Sequence, residues 1–123
     1  MFIRSLASCD EIIAGDGTTL RELLHGAKDA LPLHFSLAHA RLTPGATSVL
    51  HRLATGEVYY ILAGRGRMEI DGEARTVVAG DAIYIPPHAT QRMANLGSEA
   101  LTFLCIVDPA WRPEDEDIIE TKN

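Results

Sequence analysis

The chain has 123 residues, of which 46% are hydrophobic and 23% are charged, a composition typical of one compact globular domain. The net charge is -6 and no Lys/Arg cluster occurs, which argues against nucleic acid or an anionic membrane surface as a partner. The two cysteines, Cys9 and Cys105, have the spacing of neither a zinc knuckle nor a disulfide framework, so we expect a reducing, cytoplasmic setting.

The first predicted element is a short helix over residues 18–25. Thr19 and, three residues later, Glu22 form a capping box, and the leucines of this segment recur at helical spacing. Gly26 is a natural stop for such a helix. We therefore expect one short N-terminal helix, with His25 in its last turn.

After residue 32 the sequence is typical of short β-strands separated by turns. The stretch "EVYYILAG" is rich in β-branched and aromatic residues, and Asp71-Gly72 is a strong type I′ hairpin signal. Short strands at regular spacing predict an all-β sandwich or barrel. We expect a single domain over residues 1–111, followed by a solvated and partly ordered acidic tail over residues 112–123.

Side chains alternate between the two faces of a strand, so residues two apart share a face. Applied to three of the predicted strands, this rule places one set of side chains in a common interior. The polar members of this interior are His51, Glu57, Tyr59 and Gln91. Its apolar wall is formed by Leu53, Ile61 and Met93. A few polar groups among apolar ones are the usual composition of a small-molecule site.

Residues 45–64 resemble the first motif of the cupins. That motif is a glycine, five residues, His-x-His, three or four residues, a glutamate, six residues and a glycine. The stretch opens with Gly45 and closes with Gly64, and it keeps His51 and Glu57 in register. Leu53 stands where the second histidine of the motif is found.

Residues 80–95 are similar to the second cupin motif, which is a glycine, five residues, Pro-x-Gly, two residues, a histidine, three residues and an asparagine. Both motifs are matched without gaps, and about fifteen residues separate them, the short spacing of small microbial single-domain cupins. Gln91 takes the place of the histidine. His88 takes the place of the glycine, a residue that adopts backbone conformations other residues resist, and we expect it at the pocket rim.

The resemblance implies a double-stranded β-helix, that is, a cupin or jelly-roll barrel, with a pocket between its two sheets and commonly a homodimer. In such proteins two histidines and the glutamate of the first motif, with the histidine of the second, bind a divalent metal. Carried over, the ligands are His51, Glu57 and Gln91, with His39 or Tyr59 as a candidate additional ligand. This is a poorer set than two histidines and a carboxylate, yet it is compatible with zinc, nickel, iron or manganese.

A second interpretation of the same residues involves no metal. His51 and Glu57 then form a buried hydrogen-bonded pair, and Gln91 completes the network. The sequence leaves both interpretations open.

Three hypotheses about function follow. The first is a metal-dependent enzyme that performs isomerase, lyase or dioxygenase chemistry on a small polar metabolite. In it the metal polarises the substrate, and Glu57 or Tyr59 moves the proton as the catalytic residue. Tyr59 matches the position of the tyrosine base of some cupin lyases. The second hypothesis is a metal-free, non-catalytic module that binds a sugar or an organic acid, and the third is a barrel kept for assembly.

Overall fold

The computed structural model describes residues 1–119, and within them two antiparallel sheets face each other. The first sheet has six strands, in the spatial order β1 (Ile12–Ile13), β2 (Thr19–His25), β3 (Ser36–Leu42), β10 (Leu101–Asp108), β5 (Gly56–Ala63) and β8 (Ala82–Ile85). The second has five, in the order β11 (Glu116–Ile118), β4 (His51–Leu53), β9 (Thr90–Asn95), β6 (Arg65–Ile70) and β7 (Glu73–Val78). This confirms the predicted all-β, double-stranded β-helix or jelly-roll barrel. No helix among the described residues is long and apolar enough to span a membrane.

The hydrophobic core lies between the two sheets. Strand β10 shows why, because its burial alternates along its length, with Leu101 and Phe103 almost fully buried and the residues between them only half-buried. The ring of Phe103 packs against that of Tyr59 on β5, with 4.7 Å between the ring centroids. Burying one side chain of this size contributes about 1.5–3 kcal/mol, so the alternation fixes which face of each strand turns inward.

Two turns behave as their residues predict. Asp71 and Gly72, between β6 and β7, have φ values of 48° and 84°, as the type I′ hairpin turn requires. His88 has a φ of 68°, the left-handed conformation that glycine adopts at this position of the cupin motif. The chain keeps the turn and tolerates the strain of a side chain there.

The helix predicted over residues 18–25 is corrected by the structure, which places strand β2 there. β2 pairs with both β1 and β3, and its register against β3 shifts between Glu22 and Leu24. This bulge interrupts the two-residue alternation, and the leucines consequently recur at a spacing that imitates a helix. Pairing on both sides outweighs the local helix signal. A single-turn helix, α1 (Gly26–Asp29), follows, with His25 as its N-cap.

The acidic C-terminal segment contains two short ordered elements among its described residues. A 3₁₀ turn, Pro113–Asp115, leads into β11, which pairs with β4 so that Glu116 lies opposite Leu53. This pairing covers the edge of β4 and brings a glutamate beside the first cupin-like motif. Residues 120–123 of the predicted tail lie outside the described residues.

Candidate functional site

A cavity of about 260 Å³ opens between the two sheets. Its apolar wall includes Leu20, Leu53, Tyr59, Phe103, Cys105 and Val107. Ile12 and Ile13 of β1 also line it although they are largely exposed, so they lie at its mouth, together with the half-buried Trp111. The volume suits one small organic molecule.

The imidazole of His51 faces this cavity, as the alternation along β4 predicts. Its Nδ1 lies 2.7 Å from the carbonyl oxygen of Val49, and because a carbonyl only accepts, Nδ1 carries the proton. Nε2 is 3.5 Å from Oδ2 of Asp16, a distance too long for a good hydrogen bond. His51 is 3% exposed, so Nε2 is a buried nitrogen with room for a ligand atom.

Asp16 is held in place by a local turn. Its Oδ1 accepts hydrogen bonds from the backbone nitrogen of Thr18, at 3.0 Å, and from the Thr18 hydroxyl, at 2.7 Å. Aspartate commonly bonds the backbone two residues further on in this way. The turn leaves Oδ2 directed toward His51.

Glu57, Gln91 and Tyr59 form one hydrogen-bonded chain beside the cavity. The hydroxyl of Tyr59 donates to Oε1 of Gln91 at 2.8 Å. Nε2 of Gln91 donates to Oε1 of Glu57 at 2.9 Å. Oε2 of Glu57 has no hydrogen-bond partner among residues 1–119, and the side chain lines the cavity.

Burial controls the ionisation of this group of side chains. It raises the pKa of Glu57 to about 8, and the nearby carboxyls of Asp16 and Glu116 add to the rise while the hydrogen bond from Gln91 opposes it. Glu57 is therefore mostly a neutral acid at neutral pH. Burial likewise raises the pKa of Tyr59 and of Cys105 well above their usual ranges, so both stay protonated.

Glu116 of β11 supplies a further carboxyl to the cavity, which Asp16, Glu22 and Glu57 also line. Its Oε1 lies 2.7 Å from the point where a Cβ on Gly15 would stand, so the glycine allows this close approach. Burial raises the pKa of Glu116, and the proximity of His51 lowers it in part. The cavity is thus rich in acidic groups.

The donor set does not fit the predicted metal centre. The amide oxygen of Gln91, its ligating atom, is directed toward Tyr59, and its nitrogen is directed toward Glu57. The described part of the chain contains no group of three or more His, Cys, Asp or Glu side chains placed to hold an ion. Leu53 has no atom that can bind a metal ion and contributes only apolar surface to the cavity.

His39, the candidate additional ligand, lies outside the cavity. It sits in a surface recess between Arg21 and Arg41, while its neighbours Ala38 and Ala40 point inward. Burial and the two guanidinium groups lower the pKa of His39. The alternation of β3 thus corrects the proposal of His39 as a ligand.

The predicted pocket wall and rim are found in part. Leu53 lines the cavity, whereas Ile61 and Met93 are fully buried in the core beyond it. His88 is exposed and does not itself line the cavity, but its backbone nitrogen donates to the carbonyl of Leu53, so its rim position stays a prediction. The catalytic roles of Glu57 and Tyr59 stay predictions.

The sequence reasoning missed the two acidic residues that come from the ends of the chain. Asp16 stands in "GDGT", a turn signal directly before the segment that the sequence predicts as a helix. Glu116 stands in an acidic run that carries no strand signal at all. Only the pairing of β11 with β4 brings it to the site.

A sequence profile of the cupin domain matches residues 38–107, more than half of the chain and the segment that carries both motifs. The chain belongs to the cupin domain family. This cupin therefore has a family assignment that rests on sequence and on fold together.

Three comparisons illustrate its relationships. MJ1618 of Methanocaldococcus jannaschii is 41% identical over 114 residues, which span 88% of this cupin and 86% of that protein. An oxalate-binding protein of Thermotoga maritima is 31% identical over 71 residues, 57% of this chain and 59% of its own. The polyketide cyclase RemF of Streptomyces resistomycificus superposes with a TM-score of 0.80 at 19% identity, covering 99% of this chain and 87% of that one. At that identity the likeness to RemF concerns the fold alone.

Proposed function

We propose that this cupin binds a compact organic molecule in the cavity between its sheets, without a metal ion. The observation that carries the proposal is the orientation of the Gln91 amide, whose oxygen accepts from Tyr59 and whose nitrogen donates to Glu57. A group so oriented maintains a dry hydrogen-bonded wall and offers no ligating atom to the cavity.

The replacement of a histidine by Leu53 supports the same conclusion. Leu53 is 3% exposed and lines the cavity, so the position adds apolar surface where the family motif has a nitrogen. Apolar walls with a few polar groups are characteristic of sites that bury most of a small ligand. Nε2 of His51 and Oε2 of Glu57 are among the polar atoms that remain available for orienting it.

The proposal is tested by measuring metal content and ligand binding on one preparation. Protein purified without a polyhistidine tag is incubated with zinc, nickel, iron or manganese, desalted and analysed for metal. We expect no stoichiometric metal. Retention of about one ion per chain, lost in His51→Ala, would overturn the metal-free proposal.

The binding arm uses a neutral probe, benzamide, in the presence of a chelator, with binding followed by NMR. Ala38→Leu narrows the cavity from its β3 wall, so it is expected to abolish binding of the probe. His39→Leu, one residue away on the outer face of the same strand, is the matched control. Equal binding by both variants would place the probe outside the cavity.

A second candidate function is proton transfer on the bound molecule, of the isomerase or lyase type. Oε2 of Glu57 and Nε2 of His51 both face the cavity, one as an acid that is neutral near pH 7 and the other as a basic nitrogen in its neutral form. Tyr59 is less suited to be the base, because its hydroxyl donates to Gln91 and burial raises its pKa.

That candidate is tested with 5-nitrobenzisoxazole, a small neutral compound that eliminates when a base removes its C–H proton. Turnover that His51→Gln abolishes and Tyr59→Phe leaves intact would support His51 as the proton acceptor, and a loss in Glu57→Gln as well would support Glu57 as the acid that protonates the leaving oxygen. Turnover that only Tyr59→Phe abolishes would instead identify Tyr59 as the base that removes the proton.

A further inference from the structure

The cavity combines four carboxyl groups with little compensating positive charge. Asp16, Glu22, Glu57 and Glu116 all line it. Among the described residues no arginine does, and its one lysine, Lys28, pairs with Glu22 at 2.9 Å and lies 5.8 Å from the Trp111 ring centroid. Lys28 is thus engaged near the mouth and leaves the deeper carboxyls uncompensated.

We propose that the cavity selects a compact organic cation, an ammonium or amidinium group carried on an apolar body. This inference rests on the proposed function and names the class of its ligand. It differs from the sugar or organic acid that the sequence alone suggests for a binding module.

Two buried polar side chains offer atoms for such a group. Oε2 of Glu57 has no hydrogen-bond partner among residues 1–119, and the side chain is 6% exposed. Oδ2 of Asp16 has only Nε2 of His51 near it, at 3.5 Å. Oδ2 of Asp16 accepts an N–H donor of such a ligand directly. A cation beside Glu57 favours the carboxylate form of this side chain, and Oε2 then accepts as well.

The charge balance favours a cation over an anion. The four carboxyl groups of the cavity face one imidazole, that of His51, and one ammonium, that of Lys28, which already pairs with Glu22. A bound carboxylate adds to the excess in a low-dielectric site and meets no arginine there. A monovalent cation neutralises the excess, so the same walls that repel an acid attract an amine.

The walls fit the apolar body of such a molecule. Tyr59 and Phe103 pack with their ring centroids 4.7 Å apart and both line the cavity, as does Trp111. Aromatic faces bury an apolar body and attract a cation that lies near them. Attraction from the carboxyls and from the rings therefore acts on the same ligand.

The test uses three probes of nearly the same shape that differ in charge: benzamidine, benzamide and benzoate. Each is titrated by NMR into the full-length protein, near neutral pH and with a chelator present. We expect benzamidine to bind at least about tenfold more tightly than benzamide, and benzoate to bind least. Equal affinity of benzamidine and benzamide, or preferred binding of benzoate, would overturn the charge selectivity while leaving the cavity function intact. Binding of none of the three would count against the cavity function itself.

Substitutions of the cavity carboxyls test which side chains cause the tighter binding of benzamidine. Glu116→Gln keeps the shape of the side chain and removes one cavity charge, so it should reduce the ratio of benzamidine to benzamide affinity several-fold. Glu114→Gln removes an exposed charge from the same segment and is the matched control. Asp16→Asn should act like Glu116→Gln. A ratio unchanged in both cavity variants, or reduced equally in Glu114→Gln, would refute the assignment of the preference to the cavity.

Discussion

Gln91 on β9 donates a hydrogen bond of 2.9 Å to Glu57 on β5, and the bond crosses from one sheet of the barrel to the other. The same amide accepts the hydroxyl of Tyr59, so one side chain connects the two sheets twice. The position that carries a metal-binding histidine in the family motif serves here as a structural bridge. This relationship underlies the metal-free proposal and the first prediction.

Gln91→Leu is expected to destabilise the protein by about 2–4 kcal/mol, because it leaves the Tyr59 hydroxyl and the Glu57 carboxyl buried without their partner. Urea unfolding measures the loss as a lower midpoint. Tyr59→Phe removes one hydrogen bond and leaves fewer buried polar groups without a partner, so the free energy of unfolding should fall by less, about 1 kcal/mol. Equal midpoints for wild type and Gln91→Leu would show that the bridge contributes nothing to stability.

The pKa of Glu57 predicts how stability changes with pH. The pKa rises from 4.5 to about 8 on folding, so the stabilising effect of the neutral acid is complete below pH 4.5 and is lost as pH rises through about 8. Wild type should lose up to about 5 kcal/mol over this window through this one group. Glu57→Gln cannot ionise and keeps the acceptor for Gln91, so the variant should lose less.

The measurement is the unfolding midpoint of both proteins between about pH 5 and pH 9. The unfolding midpoint of Glu57→Gln, relative to that of wild type, should increase as pH rises. Glu114→Gln, at an exposed acid, should follow wild type throughout. If the unfolding midpoint of Glu57→Gln instead changes with pH in the same way as that of wild type, Glu57 is ionised in the folded protein, as it would be beside a metal ion.

The barrel and part of the site could be predicted because they depend on local pattern. Two-residue alternation places His51 and Leu53 on one inward face of β4, and Glu57 and Tyr59 on one inward face of β5, as the structure shows. The hairpin at Asp71-Gly72 follows from turn chemistry alone. Both features need information only from residues close in sequence.

The remaining features depend on contacts between distant segments. The bulge in β2 imitates helical periodicity, and only pairing with β3 identifies the segment as a strand. Asp16 and Glu116 reach the cavity through the two ends of the chain. The direction of the Gln91 amide depends on Tyr59, which lies 32 residues earlier in the chain and on the opposite sheet. No periodicity in the sequence encodes these relationships.

The expected homodimer stays a prediction, and the outer face of the first sheet offers a surface for a second copy of the chain. Tyr60 and Leu62 on β5 and Tyr84 on β8 are all at least 42% exposed. Clustered apolar residues on a surface commonly mark an interface. Tyr84→Glu should shift the mass measured by light scattering from dimer toward monomer. Val78→Glu, on β7 of the other sheet, is the control. A wild type that is monomeric at high concentration would contradict the prediction.

The double substitution Leu53→His and Gln91→His should create metal binding. Both positions face the interior, and with His51 and Glu57 the variant has three histidines and one carboxylate, the ligand types that zinc prefers. Metal analysis should then find about one ion per chain in the double variant. Neither single variant should reach this value, because each supplies only part of the set. Zinc should raise the unfolding temperature of the double variant alone, since an ion that binds only the folded state stabilises it. A metal-free double variant that folds normally would show that the barrel differs from its family in ligand geometry as well as in ligand identity.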